Sequence, residues 1–266
     1  MTGPAGRGPG RRGPVTGPAP ARVAARALGS QTAAELRLTL RRGDSVLLTL
    51  AIPVGLLVFF SLVDVLPKPA GVAHPVTFLA PGILALAVMS TAMVSLGIAT
   101  GFERQYGVLK RLAATPLGRP ALLAAKTAAI GGVEVVQVVV LVAVAVALGW
   151  RPGGQAGLAV AAMALATVAF AGVGLLMAGA LRAEVTLAAA NGLYLVLLLL
   201  GGMVFPLSRL PAGLRQVAEV LPSGALSDAL HAALSGTGSL PGRPWLVLAA
   251  WAAAAPAAAA ATFRWE

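Results

Sequence analysis

Apolar residues run along this chain in long blocks, and the polar clusters fall in the gaps between them. Crossing a hydrocarbon layer of ~30 Å as a helix takes about 20 such residues. Six blocks reach that length: 46–66, 79–101, 121–148, 157–181, 186–206 and 244–263. The third is the longest, and at about 42 Å it must tilt or begin in the interface. The fourth and sixth are alanine-rich and read as individually weaker spans, still counted because valine and leucine are interspersed. Pro53 and Pro256 fall inside blocks, where neighbouring helices can satisfy the backbone that proline leaves open. The pattern predicts an all-α integral membrane protein with six transmembrane helices.

Composition points the same way. The chain is 58% hydrophobic and only 11% charged, against about 25% charged in soluble domains. Cysteine is absent, which excludes disulfides, thiolate nucleophiles and cysteine-ligated metals. His74 and His231 are the whole histidine complement, too few for a His-rich metal centre. Neither a metal set nor a catalytic constellation emerges. A membrane-interior serine enzyme would need Ser and His at matching depth, and both histidines lie outside the blocks.

The excess of 20 Lys and Arg over 9 Asp and Glu gives +11, and its placement sets orientation. Eight arginines precede the first block: Arg7, Arg11, Arg12, Arg22, Arg26, Arg37, Arg41 and Arg42. The gap between blocks two and three adds Arg104, Lys110, Arg111, Arg119 and Lys126, and Arg182 and Arg264 join that side. The other side holds Lys68, Arg151, Arg209, Arg215 and Arg243. Positive residues favour the cytoplasmic side, so both termini are expected there, in a multi-pass protein of a bacterial-type plasma membrane. Residues 1–21 read as a disordered, basic Gly/Pro-rich tail that orients the chain near anionic lipid. It is not a signal peptide, because no short apolar core with a cleavage site follows its arginines, and no nucleic-acid partner is expected. Residues 22–45 read as a cytoplasmic interfacial helix, and 46–266 as the six-span domain.

Candidate chemistry sits in three places. The stretch "GFERQYGVLKRLAATPLGRPALLAAK", residues 101–126, concentrates charge between two spans. Helix formers predict a helix over 102–115 ended by Pro116, because proline disfavours helical geometry in the residue before it. A helix anchored by a span at each end can seat on a partner and transmit force; an ordinary positive loop is the other reading. Inside the spans, Glu134 is an acidic group at mid-membrane depth, with Gln137, Asn191 and Asp64 as weaker polar points. Glu134 reads either as an anionic point on a translocation path, suited to cationic amphiphiles, or as a structural partner of Gln137 or an interfacial arginine. Third, residues 207–240 predict two short amphipathic helices broken at Leu221–Pro222. No nucleotide site is visible: "GRPALLAAKT" lacks the P-loop spacing. The glycines of "GVGLLMAG" and the Gly97–Gly101 pair fit helix packing.

The run "PGILALAVMSTAMVSLGIATGFERQYGVLKRLAATPLGRPALLAAK" resembles the membrane subunits of type-2 ATP-binding-cassette (ABC) exporters, particularly daunorubicin-resistance-like permeases. Pro81, Gly82, Glu103, Arg104, Gly107, Leu109, Leu112, Thr115, Pro116, Arg119 and Lys126 carry the likeness. In the stretch after the fifth block, Pro206, Leu210, Pro211, Leu221, Pro222, Asp228 and Ala229 carry it again. Lys110 and His231 depart from that pattern. The resemblance implies that 102–116 is a coupling helix seated in a cleft of an ATPase subunit. Glu103, Arg104, Leu109, Lys110, Arg111, Pro116 and Arg119 would then belong to the coupling contact, with Gly107 a point of close approach. Pro206, Leu210, Pro211, Pro222 and Asp228 would belong to a re-entrant extracellular hairpin. It implies a homodimeric permease with two ABC ATPase subunits, which bind ATP and Mg, this chain holding no cofactor, and an amphiphilic drug, antibiotic or lipid-like cargo. A polysaccharide or glycolipid exporter is the nearest alternative, less favoured at 5% aromatic residues.

Overall fold

The computed structural model describes residues 29, 32, 43–63, 74–109, 119–203, 211–235 and 242–263. The tail 1–21, nearly all of 22–42, and Asp64, Lys110, Arg111, Pro116, Pro206 and Leu210 lie outside the described residues. The described chain is built from helices, with no β-strand beyond a single bridge between Gly153 and Ser235. They are α1 (Gly43–Leu62), α2 (Pro75–Gln105), α3 (Arg119–Ala147), α4 (Ala156–Ala180), α5 (Ala183–Leu200), α6 (Ala212–Ala218), α7 (Pro222–Leu234) and α8 (Gly242–Thr262).

Five of these, α2, α3, α4, α5 and α8, are long and apolar enough to cross a membrane. The first predicted span corresponds to α1, whose apolar stretch Thr49–Leu62 is shorter. Two boundaries move. Proline, with its fixed φ, suits a first helical turn, so Pro75 starts α2 four residues before the predicted 79. The fifth span was expected to reach 206 but stops at Leu200, because Gly201 and Gly202 follow and Gly202 takes a left-handed φ of 65°.

Alanine explains the centre of the bundle. α4 buries Ala159, Ala162, Ala166 and Ala169 as a stripe, and a Cβ at its Gly172 would come within 2.7 Å of Ala255 and Pro256 of α8. Small side chains let two helices approach closely, and close approach is what holds helices together where lipid is as apolar as leucine. The two alanine-rich spans are thus each other's packing partner, although α4 is more apolar than α2 or α5. A Cβ at Gly174 of α4 would come within 2.5 Å of the Met93 carbonyl oxygen, so only glycine admits α2 at this crossing. Met93 lies in a π-helical segment, Ser90–Ser95, that interrupts α2. α5 is peripheral, burying Ala183, Thr186, Ala190 and Leu197 while Leu195, Val196 and Leu199 stay exposed.

Candidate functional site: the end of α2, the membrane interior and the opposite end

Three consecutive residues at the end of α2 each reach a different neighbour. Glu103 Oε2 lies 2.6 Å from Nζ of Lys126 on α3, whose side chain is 3% exposed. Arg104 donates from Nη1 and Nη2 to the carbonyls of Gly179 and Leu181, both at 2.5 Å. Those carbonyls belong to the last turn of α4 and the residue beyond it, where helix geometry leaves acceptors unpaired and partial negative charge accumulates. Gln105 donates to Glu184 Oε1 at 2.8 Å, in the first turn of α5. The α2 end is therefore tied to α3, α4 and α5 at once. Two of the residues expected in the ATPase contact, Glu103 and Arg104, bind the chain's own helices.

The predicted uninterrupted helix over 102–115 is corrected here. α2 closes at Gln105, with Tyr106 N–H donating to the Phe102 carbonyl at 2.9 Å and Gly107 N–H to the Arg104 carbonyl at 3.0 Å. Gly107 adopts φ 70°, a left-handed conformation that glycine reaches without Cβ strain and that ends helices. Among the described residues beyond its chain neighbours, no atom lies within 4 Å of where a Gly107 Cβ would stand, so what this glycine supplies there is the turn. Helical geometry resumes at Val108 and Leu109. Leu109 is fully buried, while Tyr106 is 71% exposed and Val108 39%. Arg119 opens α3.

Within the spans the three polar residues grouped by sequence do not share a site. Gln137 is buried; its Nε2 donates to the Thr49 carbonyl of α1 at 2.9 Å, and its Oε1 accepts from Thr91 of the π segment at 2.9 Å. It joins α1, α2 and α3 as a structural link. Asn191 is exposed on α5 and returns its amide to the Leu187 carbonyl at 2.8 Å. Glu134 alone faces a void. It accepts from Thr167 of α4 at 2.5 Å and lines a cavity of about 740 Å³ between α3, α4 and α8. Its partner is a threonine, not Gln137 or an arginine.

At the opposite end, α6 and α7 are separate helices that break at Leu221–Pro222, with Pro211 as the residue before α6. α7 is buried along most of its length. Ser227 donates to the Gly202 carbonyl at 3.1 Å, which seats α7 on the turn after α5. His231 places Nε2 3.0 Å from the Phe78 carbonyl of α2 and Nδ1 2.8 Å from the Ser227 carbonyl. Burial pushes the His231 pKa down, while those two carbonyls oppose the shift. Asp228 is pushed up to about 6, by burial first and then by the negative charge of Glu219. Glu219 in turn pairs with Arg243 at 2.6 Å, linking α6 to α8.

The family model described as ABC-2 type transporter matches residues 27–234, from before α1 through the end of α7. The chain belongs to the ABC-2 type transporter family. It is a permease of that family and a multi-pass membrane protein. Among curated proteins, none matches the chain significantly.

The ABC-2 permease uses partners that reasoning from sequence did not name. Thr91, Thr167 and Glu184 complete the polar contacts described above, and the acceptors for Arg104 and His231 are backbone carbonyls. A threonine in an apolar block is a weak signal, since it can always bond the carbonyl a turn behind it. A carbonyl acceptor leaves no mark in the sequence.

Proposed function

We propose that this ABC-2 permease is the membrane half of an exporter that moves an amphiphile out of the cell, driven by ATP hydrolysed on a separate subunit. In this reading two copies pair as a homodimer with two ATPases, and both termini face the cytoplasm of a bacterial-type plasma membrane. The daunorubicin-resistance-like branch fits the motif residues Glu103, Arg104, Gly107 and Pro116. The observation that carries the mechanism is the triple tie behind an exposed tip. Tyr106 and Val108 stand out from the end of α2, and the residues just before them are bonded to α3, α4 and α5. The exposed tip takes the ATPase contact, and Lys110 and Arg111 follow it in the sequence. Glu103, Arg104 and Gln105 pass its displacement into three further helices. A push at one point then moves a rigid group of spans, because charge-assisted bonds of this kind resist separation more than neutral ones do.

An amphiphile is favoured over a glycan by the lining of the cavity beside Glu134. Its residues are aliphatic or small, with no aromatic ring on which a sugar could stack. The test is co-expression with candidate ABC ATPases from the same genome and capture on the tagged permease. Tyr106→Ala combined with Val108→Asp is expected to abolish capture of the ATPase. Arg104→Gln is expected to leave capture intact and to weaken stimulation of ATP hydrolysis by cargo. Loss of capture in Arg104→Gln with full capture in the tip variant would overturn this assignment of roles.

A further inference from the structure

Glu134 stands near the midpoint of α3, about 22 Å of helix rise from Arg119 and about 20 Å from Ala147. It is 6% exposed, and no lysine or arginine is among the described residues lining its cavity. The single proton of the Thr167 hydroxyl has two acceptors, the Met163 carbonyl at 2.8 Å and Glu134 Oε2 at 2.5 Å. Glu134 Oε1 is buried with no hydrogen-bond partner. The Glu134 carboxyl therefore borders an apolar void with one of its two oxygens unbonded among the described residues. An acidic group this buried is either neutral or met by a cation or further donors, and the described chain supplies one hydroxyl.

The shape of the void says where such a cation comes from. Val135 and Val139 of α3 and Val160 of α4 border the cavity and are 61–64% exposed. Exposed valines on the outer faces of two spans are placed to meet acyl chains. The cavity therefore opens sideways to the lipid. Thr127, two turns before Glu134 on the same face of α3, adds a second polar point along the wall. The volume, about 740 Å³, lies within the ~300–1,000 Å³ usual for sites that hold drug-sized molecules.

We propose that this lateral cavity binds an amphiphile carrying a protonated amine, admitted from the bilayer, with its ammonium paired to the Glu134 carboxylate and its apolar body against Leu123, Met163 and Leu175. Treating this occupant as cargo rests on the exporter reading; its binding does not. The site lies within one chain, so it is complete in a single copy.

The experiment uses the full chain in nanodiscs of zwitterionic lipid, with empty nanodiscs as the partition control. The probes are an octyl chain bearing a dansyl group at one end and a primary amine at the other, and its N-acetylated form. The amine is expected to bind about tenfold or more tightly than the acetamide, the range for a hydrogen bond to a charged group. In Glu134→Gln the amine is expected to fall to the level of the acetamide, with acetamide binding unchanged. Ala164→Phe, which fills the cavity from α4 without touching the carboxyl, is expected to weaken both probes. Equal affinity of the two probes in the native chain would overturn the proposal, as would an amine preference that survives Glu134→Gln. Unchanged binding in Ala164→Phe would place the site elsewhere. None of these readouts involves ATP, so a failure of the exporter reading registers separately, in the capture experiment.

Discussion

Lys126 and Glu103 offer the sharpest test of the tie at the end of α2. At 2.6 Å two unit charges attract by about 6 kcal/mol at an effective dielectric of 20. Burying the ammonium, whose side chain is 3% exposed, offsets several kcal/mol of this, while Glu103 at 25% exposure keeps some of its hydration. The expected net coupling is about 2–3 kcal/mol. Four proteins measure it: the native chain, Glu103→Gln, Lys126→Met and the double variant, each unfolded reversibly by SDS in mixed micelles. If the pair is an internal tie, the double variant loses less than the two single losses added together, by that coupling energy. Losses that add within about 0.5 kcal/mol would refute the reasoning, since independent sites add to that precision. A second readout separates tie from docking contact. A residue whose only job was to touch the ATPase would leave the unfolding of the isolated chain unchanged.

Arg104→Lys keeps the charge but cannot reach both the Gly179 and Leu181 carbonyls with a planar fork; a loss of about 1.5–3 kcal/mol is expected in the same titration. At the opposite end, the Asp228 carboxyl rises from 3.8 to about 6, so the folded chain holds a proton that the unfolded chain has released. Its contribution therefore favours folding at low pH and declines as pH rises from about 4 to about 6. Asp228→Asn is expected to unfold at a higher temperature than the native chain above pH 6, the gap closing near pH 4; a gap independent of pH would contradict the assigned cause. Gly174→Val drives a branched side chain into the Met93 carbonyl and is expected to cost about 1–3 kcal/mol or more, whereas Gly131→Ala, with open space at its Cβ, is expected to cost nothing. Melting of the two purified variants compares them directly.

Much of the architecture could be read from apolar block length, since only a helix of ~20 residues satisfies its own backbone across a bilayer. What block length could not convey is how blocks end and pair. Gly201 and Gly202 stop α5 inside an apolar run, and Gly107 divides a segment whose composition is helical throughout. In both cases one backbone conformation outweighs the summed propensity of its neighbours. Glu134 was conspicuous in the sequence because an acid in an apolar block is costly. Its partner was not, because Thr167 on α4 is an unremarkable residue until two helices are packed together. Arg104 shows the same limit from the other side. Its charge suggested an external partner, and the fold supplies two carbonyls of the chain itself.

The central claim, that this permease exports an amphiphile at the expense of ATP, is tested most directly in proteoliposomes holding the chain together with an ABC ATPase that co-purifies with it. Movement of a panel of fluorescent amphiphiles, cationic and neutral, is followed with and without ATP and Mg. The account predicts ATP-dependent, one-directional movement of at least one amphiphile, lost when the Tyr106–Val108 tip is altered. Equal movement of every probe with and without ATP, in vesicles where the ATPase is bound and turning over, would contradict it.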